Sequence, residues 1–434
     1  MARSLVTTSD LPRPVLLSSM GLLARHIPPG TVWEVLTRHG RHSRRERLLP
    51  APFLVYLVVA LSLYMPYALR EVLRCVVEGL RSLDFPGVPQ TVIATKAAIS
   101  HARIRLGWEV MGELFDRVAR PLATPKTPGA WYRGWRLVAV DGVSLAVPYT
   151  EANAAAFGLH ASGNGEGAFP LVRLATLVEV GTHGVFRAAM DAYGRSESSI
   201  AEELLPGLGP EMLLIEDRGF VGYEWWKKTR ATGAEVLCRV RSNMRFPCHE
   251  RLEDGSYLSV LRPPKSIQEG PIAVRVIAYT LEGVSGADPV YRVVTSLLDP
   301  EAAPATELAA LYHERWESET TFDEFKTHLR GGAQVVLRSK TPDLVRQEVY
   351  GLLLAHYAVR AVMHDAALVA GEDPDRISFI HTVRVLRRKL PQAANFPPSA
   401  AESLVSESPD GGAGGARRLK PGPKRPPRNP PSRQ

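Results

Sequence analysis

Two aspartates lie at positions typical of catalytic or metal-binding carboxylates, and not of ordinary surface acids. Asp141 follows the apolar run 137–140 and Asp217 follows the apolar run 212–215, so each is predicted at the end of a buried strand. A carboxylate in such a place is costly unless a partner compensates its charge, and strand ends of α/β sheets are where functional sites gather. Either aspartate taken alone is equally compatible with an ordinary turn or helix-cap residue.

A third acid lies on a predicted helix over residues 304–330. On a helical wheel, four polar side chains fall in one stripe about 60° wide: Tyr312, Arg315, Glu319 and Lys326. The apolar residues of the helix form a separate face. A solvated face would also explain the stripe, although Glu319 and Lys326 are too far apart in sequence for an i,i+4 pair. Functionally, the acid would ligate a metal, the two cations would neutralise phosphate, and the tyrosine would donate a hydrogen bond to a phosphate oxygen.

The ligand types favour a hard, oxygen-seeking ion. Three carboxylates without a His/Cys cluster suit Mg²⁺, for which Mn²⁺ can substitute. Two such ions about 3.5–4 Å apart activate a water or a 3′-hydroxyl and stabilise the leaving oxygen in phosphodiester chemistry. The three cysteines have no CxxC spacing, which argues against a structural zinc site and a disulfide framework and indicates a reducing compartment.

The chain has 434 residues, enough for about three domain-sized units. Apolar residues at helical spacing, a Pro/Gly-rich stretch, and then alternating strands and helices mark the divisions. We predict, in order, a helical N-terminal domain (1–120), a linker (121–134), the first part of an α/β core (135–240), a β-rich subdomain (241–300), the second part of the core with the Glu319 helix (301–395) and a disordered basic Pro/Gly-rich tail (396–434).

Positive charge is concentrated at two places. Of the formal net charge of +8, seven positive residues follow Asp410, which leaves about +1 for the preceding 410 residues and indicates nucleic-acid binding only weakly. The second place is the basic cluster 38–47, which contains Arg44 and Arg45. This cluster is compatible both with a solvated loop and with phosphate contacts.

One uncharged run raises the question of a membrane. Residues 48–69 are 22 positions without a charge, which is long enough to span a bilayer. Pro52 and Pro66 leave only 13 residues between them, and the apolar pattern continues beyond Arg70 with charges interleaved. We therefore predict a buried core helix and no membrane span.

Taken together, these residues resemble the DDE transposases of the IS4 insertion-sequence family. That family's signature is Tyr, two residues, Arg, three residues, Glu, six residues and Lys. It stands intact in YHERWESETTFDEFK as Tyr312, Arg315, Glu319 and Lys326. The two family aspartates match Asp141 in LVAVDGVSLAVP and Asp217 in LLIEDRGFVGYEWWKK. The resemblance spans roughly residues 15–395.

The resemblance implies an α/β ribonuclease-H-like catalytic core, which is a mixed sheet with flanking helices. It also implies a helical N-terminal domain that binds the DNA ends and a β-rich subdomain inserted into the core. It implies cut-and-paste transposition on double-stranded DNA, both transposon ends and target, with two Mg²⁺ ions on Asp141, Asp217 and Glu319. The same resemblance implies strand transfer by a 3′-hydroxyl, hairpin ends and a homodimer on paired ends. It also implies a bacterial cytoplasmic location, with the protein associated with the nucleoid when it is bound to DNA.

Hairpin-forming members of the family flip a base and stack it on an aromatic side chain, which the resemblance places at Tyr291. An ordinary strand tyrosine is the alternative reading of that residue. At the level of function, two alternatives stay open. The chain could be an inactive or domesticated DNA-binding copy, or a two-metal nuclease that cuts without joining strands.

Overall fold

The computed structural model describes residues 19–42, 47–65, 67–81, 94–162, 165–280, 290–314 and 335–389, together with the single positions 321, 324 and 329. Several predicted positions lie outside these described residues: Arg44, Arg45, Arg315, Glu319, Lys326 and the tail 396–434.

The N-terminal part is helical. Its described helices are α1 (Ser19–His26), α2 (Pro29–Arg38), α3 (Ala51–Leu63), α4 (Leu69–Arg81), α5 (Lys96–Leu106) and α6 (Trp108–Val118). The uncharged run becomes α3, which is 13 residues long and buried at every position. It packs against α2, α4 and α5 and against a long C-terminal helix, so its lack of charge reflects a place in the core.

The remainder of the chain forms one mixed sheet with helices on both faces. The strands are β1 (Trp131–Tyr132), β2 (Trp135–Ala146), β3 (Leu159–Ser162), β4 (Gly165–Glu179), β5 (Gly184–Ala192), β6 (Met212–Glu216), β7 (Glu235–Arg239), β8 (Glu250–Arg251), β9 (Tyr257–Leu261), β10 (Ile272–Tyr279) and β11 (Tyr291–Thr295). Across the centre the order is β5–β4–β2–β6–β7, in which β4 is antiparallel to both its neighbours and β6 and β7 run parallel to β2. This arrangement confirms the predicted ribonuclease-H-like core.

The strands of the predicted insertion continue the same sheet. β11 pairs antiparallel with β7, with Val294 opposite Cys238, and β10, β9 and β8 follow outward. The β-rich stretch therefore lengthens the core sheet at the β7 edge instead of forming a separate sheet.

The two faces of the sheet carry different helices. On one face lie α8 (Glu197–Ala201), the 3₁₀ turn Glu202–Gly207 and α9 (Tyr223–Ala231), which cover Val138 and Val140. On the other lie α10 (Ala305–Glu314) and α11 (Pro342–Ala370). The short α7 (Glu151–Phe157) precedes β3, and the described chain ends with the 3₁₀ turn Pro374–Arg376 and α12 (Phe379–Lys389).

Helix α11 is the central packing element of the helical half. Among the described helices it alone is long and apolar enough to cross a membrane, but 83% of its most apolar window is buried inside the protein. It contacts α3, α6 and β5. Its composition is that of a core helix surrounded by protein.

Candidate active site

Parallel pairing of β2 with β6 brings the two predicted aspartates together. The paired residues run from Arg136 opposite Met212 to Ala139 opposite Ile215, and Asp141 and Asp217 each come two residues later. Because side chains alternate along strands, both aspartates share the face of Leu137, Ala139, Leu213 and Ile215, on which α10 packs. The two carboxylates are thus neighbours on the α10 face.

The strand end predicted at Asp141 is wrong in one respect. Asp217 does follow the last residue of β6, but β2 continues beyond Asp141 to Ala146. The reason is β4, which pairs with β2 through Thr176 opposite Asp141 and onward to Leu171 opposite Ala146. Asp141 therefore lies within a strand, at the point where the pairing with β6 stops.

A glycine close behind each aspartate orients its carboxylate. Asp141 Oδ1 accepts a hydrogen bond from the Gly142 N–H at 2.8 Å, and Asp217 Oδ1 accepts one from the Gly219 N–H at 2.7 Å. A Cβ at Gly219 would lie only 2.8 Å from Asp217 Oδ1, so a larger residue would disturb this turn. Both aspartates are half-buried.

The acid next to Asp217 is a core residue. Glu216 is fully buried, and its Oε1 accepts a hydrogen bond from Trp225 Nε1 at 2.7 Å. Burial raises the pKa of Glu216 to about 8; contacts with Trp225 and Cys238 oppose the shift, and the charge on Asp217 adds to it. Glu216 is therefore largely protonated at neutral pH and adds little charge to the aspartate pair.

Glu197, at the start of α8, is a nearby acid that sequence reasoning missed. A Cβ on Gly142 would lie 2.4 Å from Glu197 Cδ, so the glutamate side chain fills the space that the glycine leaves. Burial raises the pKa of the Glu197 carboxyl, the charges on Asp141 and Asp217 raise it further, and Arg173 lowers it. The only sequence signal was the glycine directly after Asp141.

Helix α10 carries the first residue of the predicted polar stripe. Tyr312 is 3% exposed, and its ring packs in the same core cluster as Leu308 and Leu311. The wheel separated Tyr312 from Leu311, but the structure buries both against the sheet. The other three residues of the stripe lie outside the described residues, so of the predicted set the structure places Asp141, Asp217 and Tyr312 on the same face of the sheet.

Tyr291, at the start of β11, belongs to a half-exposed aromatic group. Its ring stacks on Tyr279 with centroids 5.6 Å apart, and the edge of His313 lies 5.8 Å away. The guanidinium of Arg239 lies 4.6 Å from the Tyr291 ring centroid. His313 directly follows Tyr312, so this aromatic group adjoins α10 at the end from which the chain continues toward Glu319.

The aspartate pair suits a divalent metal by its donor chemistry. Carboxylate oxygens are the ligands that Mg²⁺ and Mn²⁺ prefer, and each aspartate is held by a backbone N–H on one oxygen. Within the described ranges, no three His, Cys, Asp or Glu side chains stand close enough to hold an ion by themselves. The described part of the chain thus offers two candidate ligands, and a complete set would require a further one.

The mixed sheet with flanking helices and the neighbouring aspartates fit the class of DDE transposases. The family model for the transposase DDE domain matches residues 133–358, and that for the insertion element 4 transposase N-terminal region matches residues 17–116. The chain belongs to the IS4 family of DDE transposases. It is therefore an enzyme that cleaves DNA and transfers strands, and it depends on divalent metal.

Two relatives from Escherichia coli (strain K12) are similar along the chain. Transposase InsG for insertion sequence element IS4 is 27% identical over 410 residues, covering 94% of this chain and 90% of the relative. Putative transposase InsZ is 25% identical over 203 residues, covering 46% of this chain and 64% of the relative. Among solved structures, a piggyBac transposase synaptic complex with hairpin DNA aligns at 12% identity and a TM-score of 0.45, covering 91% of this chain and 86% of that one.

Proposed function

We propose that this transposase moves an insertion sequence by cut and paste. It would cut at the terminal inverted repeats and join the 3′-hydroxyl ends to target DNA, with two Mg²⁺ ions held by Asp141, Asp217 and Glu319. The observation that carries the proposal is the β2–β6 pairing, which sets both aspartates on the face where α10 packs. The described part of α10 runs to Glu314, five residues before Glu319 in the sequence.

The residues around the aspartates support this assignment. The Gly142 and Gly219 N–H groups each hold one carboxylate oxygen, which fixes the orientation of both acids before any ion binds. Bound there, Mg²⁺ would activate a water or a 3′-hydroxyl and stabilise the leaving oxygen.

DNA contacts are proposed for the remaining members of the signature. Arg315 and Lys326 would neutralise phosphates close to the cut. The ring of Tyr312 is buried, so a phosphate contact by this residue would be made through its hydroxyl. Tyr291 would stack on a flipped base if the ends form hairpins, and the position of Arg239 over its ring adds a cation that can approach the same DNA.

The assembly and the division of labour along the chain are further parts of the proposal. The helical region 1–120 would bind the transposon ends, with Arg44 and Arg45 contacting phosphates, and the basic tail 396–434 would add non-specific attraction to DNA. Two copies would act on paired ends as a homodimer. The enzyme would work in a bacterial cytoplasm, associated with the nucleoid while bound to DNA.

A cleavage assay on duplexes carrying the ends of the element tests the proposal. The wild type should nick at the element boundary in Mg²⁺, and Asp141→Asn should not. Asp343→Asn, an aspartate with a largely exposed side chain at the start of α11, is the matched control and should cut normally. Specific binding without cutting in Mg²⁺ or Mn²⁺ would identify an inactive DNA-binding copy. Nicks that never yield joined products would identify a nuclease.

A further inference from the structure

The turn between β1 and β2 has an uncommon backbone. Tyr132 pairs with Trp135, so the two strands are joined by two residues, Arg133 and Gly134. Both have a positive φ, 46° at Arg133 and 95° at Gly134, as in the type I′ turn that two-residue hairpins favour. Asparagine, aspartate and glycine suit the first of these positions, whereas an arginine is strained there. A strained residue of this kind points to a function of its side chain.

The guanidinium of Arg133 binds the start of helix α10. Its Nε and Nη2 each donate a hydrogen bond of 2.9 Å to the Glu307 carboxylate, one to each oxygen. Its Nη1 donates to the carbonyls of Glu301 and Ala302, at 3.1 and 3.2 Å. The Tyr132 hydroxyl donates to Glu307 Oε2 at 2.9 Å. Because a two-point contact between arginine and carboxylate fixes direction as well as distance, the hairpin and the first turn of α10 are held in one relative position.

A contribution to stability does not explain this contact well. The side chains of Arg133 and Glu307 are 41% and 44% exposed, and exposed ion pairs contribute little to the free energy of unfolding. The start of α10 also has a second anchor, since Asp254 Oδ2 accepts a hydrogen bond from the Ala305 N–H at 2.8 Å. The helix therefore does not depend on Arg133 for its folding, and the contact has a mainly geometric effect.

The two elements that Arg133 connects both carry candidate active-site residues. Arg133 directly precedes β2, the strand of Asp141, and Glu307 lies five residues before Tyr312 on α10. Elsewhere α10 packs on the sheet through apolar side chains, and apolar packing is non-directional. It therefore fixes the position of a helix along its axis less sharply than a two-point hydrogen-bonded contact does. Since a helix is rigid, an axial shift of its first turn would displace its later residues equally.

We propose that Arg133 is a positioning residue for DNA cleavage. By binding Glu307 it fixes α10 along its axis relative to β2, and thereby sets the distance between Asp141 and the α10 side chains that act with it. This inference rests on the proposed function, because it takes Asp141 and α10 as parts of the cutting site. A misplacement of about 1 Å can cost about a hundredfold in rate, so loss of the contact should slow cleavage at least about tenfold.

The test compares the single-turnover cleavage rate on end duplexes, the affinity for DNA in EDTA and the melting temperature of the full-length protein. Arg133→Gln and Glu307→Gln change the net charge in opposite directions. Both should slow cleavage at least about tenfold, with DNA affinity within about twofold of the wild type, because the geometry and not the charge is altered. The double variant should cleave no more slowly than the slower single variant, since both changes break one contact.

Arg133→Asn separates positioning from folding. Asparagine is a preferred first residue of this turn, so the variant should melt no lower than the wild type and still cleave as slowly as Arg133→Gln. Glu202→Gln is the matched control for Glu307→Gln, because Glu202 pairs with Lys228 at 2.8 Å in a similarly exposed contact between two elements. It should cleave like the wild type.

Cleavage at the wild-type rate by Arg133→Asn or by Glu307→Gln would overturn this inference and leave the proposed function standing. A slow Arg133→Gln whose loss of rate equals its loss of DNA affinity would also overturn it, because Arg133 would then be a DNA contact. If Asp141→Asn cut at the wild-type rate, the cut would not be made at the aspartate pair. In that case both the inference and the proposed function would be wrong.

Discussion

A buried ion pair joins Glu324 to helix α11. Glu324 is 2% exposed and lies five residues after Glu319 in the sequence. Its Oε2 accepts a hydrogen bond from Arg360 Nε at 3.0 Å and lies 2.9 Å from His356 Nε2, and a second Arg360 nitrogen contacts Oε1. Arg360 also donates to His183 Nδ1, at 2.8 Å, in the β4–β5 turn. The ion pair therefore ties Glu324 to both α11 and the sheet.

Removing the negative partner should destabilise the fold strongly. Glu324→Gln leaves the Arg360 guanidinium, which is 3% exposed, without its counter-charge. Breaking a buried pair on one side costs about 3–5 kcal/mol of unfolding free energy. With an unfolding entropy of about 2.1 cal/mol/K per residue, a loss of about 4 kcal/mol lowers the melting temperature of a chain this long by roughly 4–6 °C. Circular dichroism at 222 nm (a standard helix band) follows the transition.

A double substitution distinguishes the effect of breaking the ion pair from a general loss of packing. Glu324→Met/Arg360→Met replaces both charges with apolar side chains and should recover at least half of the loss, because no unpaired charge remains. The surface pair Glu372–Arg376, whose nitrogen and oxygen are 2.8 Å apart, is the control. Glu372→Gln should shift the melting temperature by less than about 1 °C. A melting temperature of Glu324→Gln equal to that of the wild type, or a double variant no better than the single one, would refute the reasoning.

Three further outcomes are expected from named residues. Gly142→Ala should displace the Glu197 side chain and lower the melting temperature, since the added Cβ would lie 2.4 Å from Glu197 Cδ; the same change made in Glu197→Ala should lower it by less, and equal losses in the two backgrounds would contradict the clash. Lys326→Ala should lower the slope of log affinity against log salt by about one on end duplexes in a filter-binding titration, and an unchanged slope would remove its phosphate role. Burial lowers the pKa of His356; the folded state thus resists its protonation, and wild-type stability should fall as pH drops from about 6.5 toward the folded pKa. His356→Gln should lose less stability over that range in melts at pH 7.5 and 5.5, and an equal loss would contradict this.

The apolar runs predicted much of the sheet. The run ending before Asp217 became β6, and the two runs around the turn 181–184 became the β4–β5 hairpin. The β6 run is apolar over residues 212–215 because every residue of that strand is buried, which is the pattern that sequence reasoning detects most directly. The helix α3 was predicted for the same reason, from a run too short between its prolines to span a membrane.

The differences between the predictions and the structure arise from contacts between distant parts of the chain. Asp141 followed by glycine looks like a turn, but pairing with β4 carries β2 straight through it. Glu197 stands among serines, in a segment typical of a helix cap, and only the packing of α8 on β4 brings it to Gly142. Glu324 meets residues 32 and 36 positions away on α11. The local periodicity of a sequence carries no information about such long-range contacts.

The metal-dependent cut itself tests the central claim most directly. We would measure the single-turnover rate of cleavage in Mg²⁺ at the end of the element for the wild type and for Glu319→Gln, and DNA binding for both in EDTA. The account predicts a loss of at least about a hundredfold in rate, with binding within twofold, because a metal ligand is removed and no phosphate contact is lost. Cleavage by Glu319→Gln at the wild-type rate would contradict the assignment of this glutamate to the catalytic site.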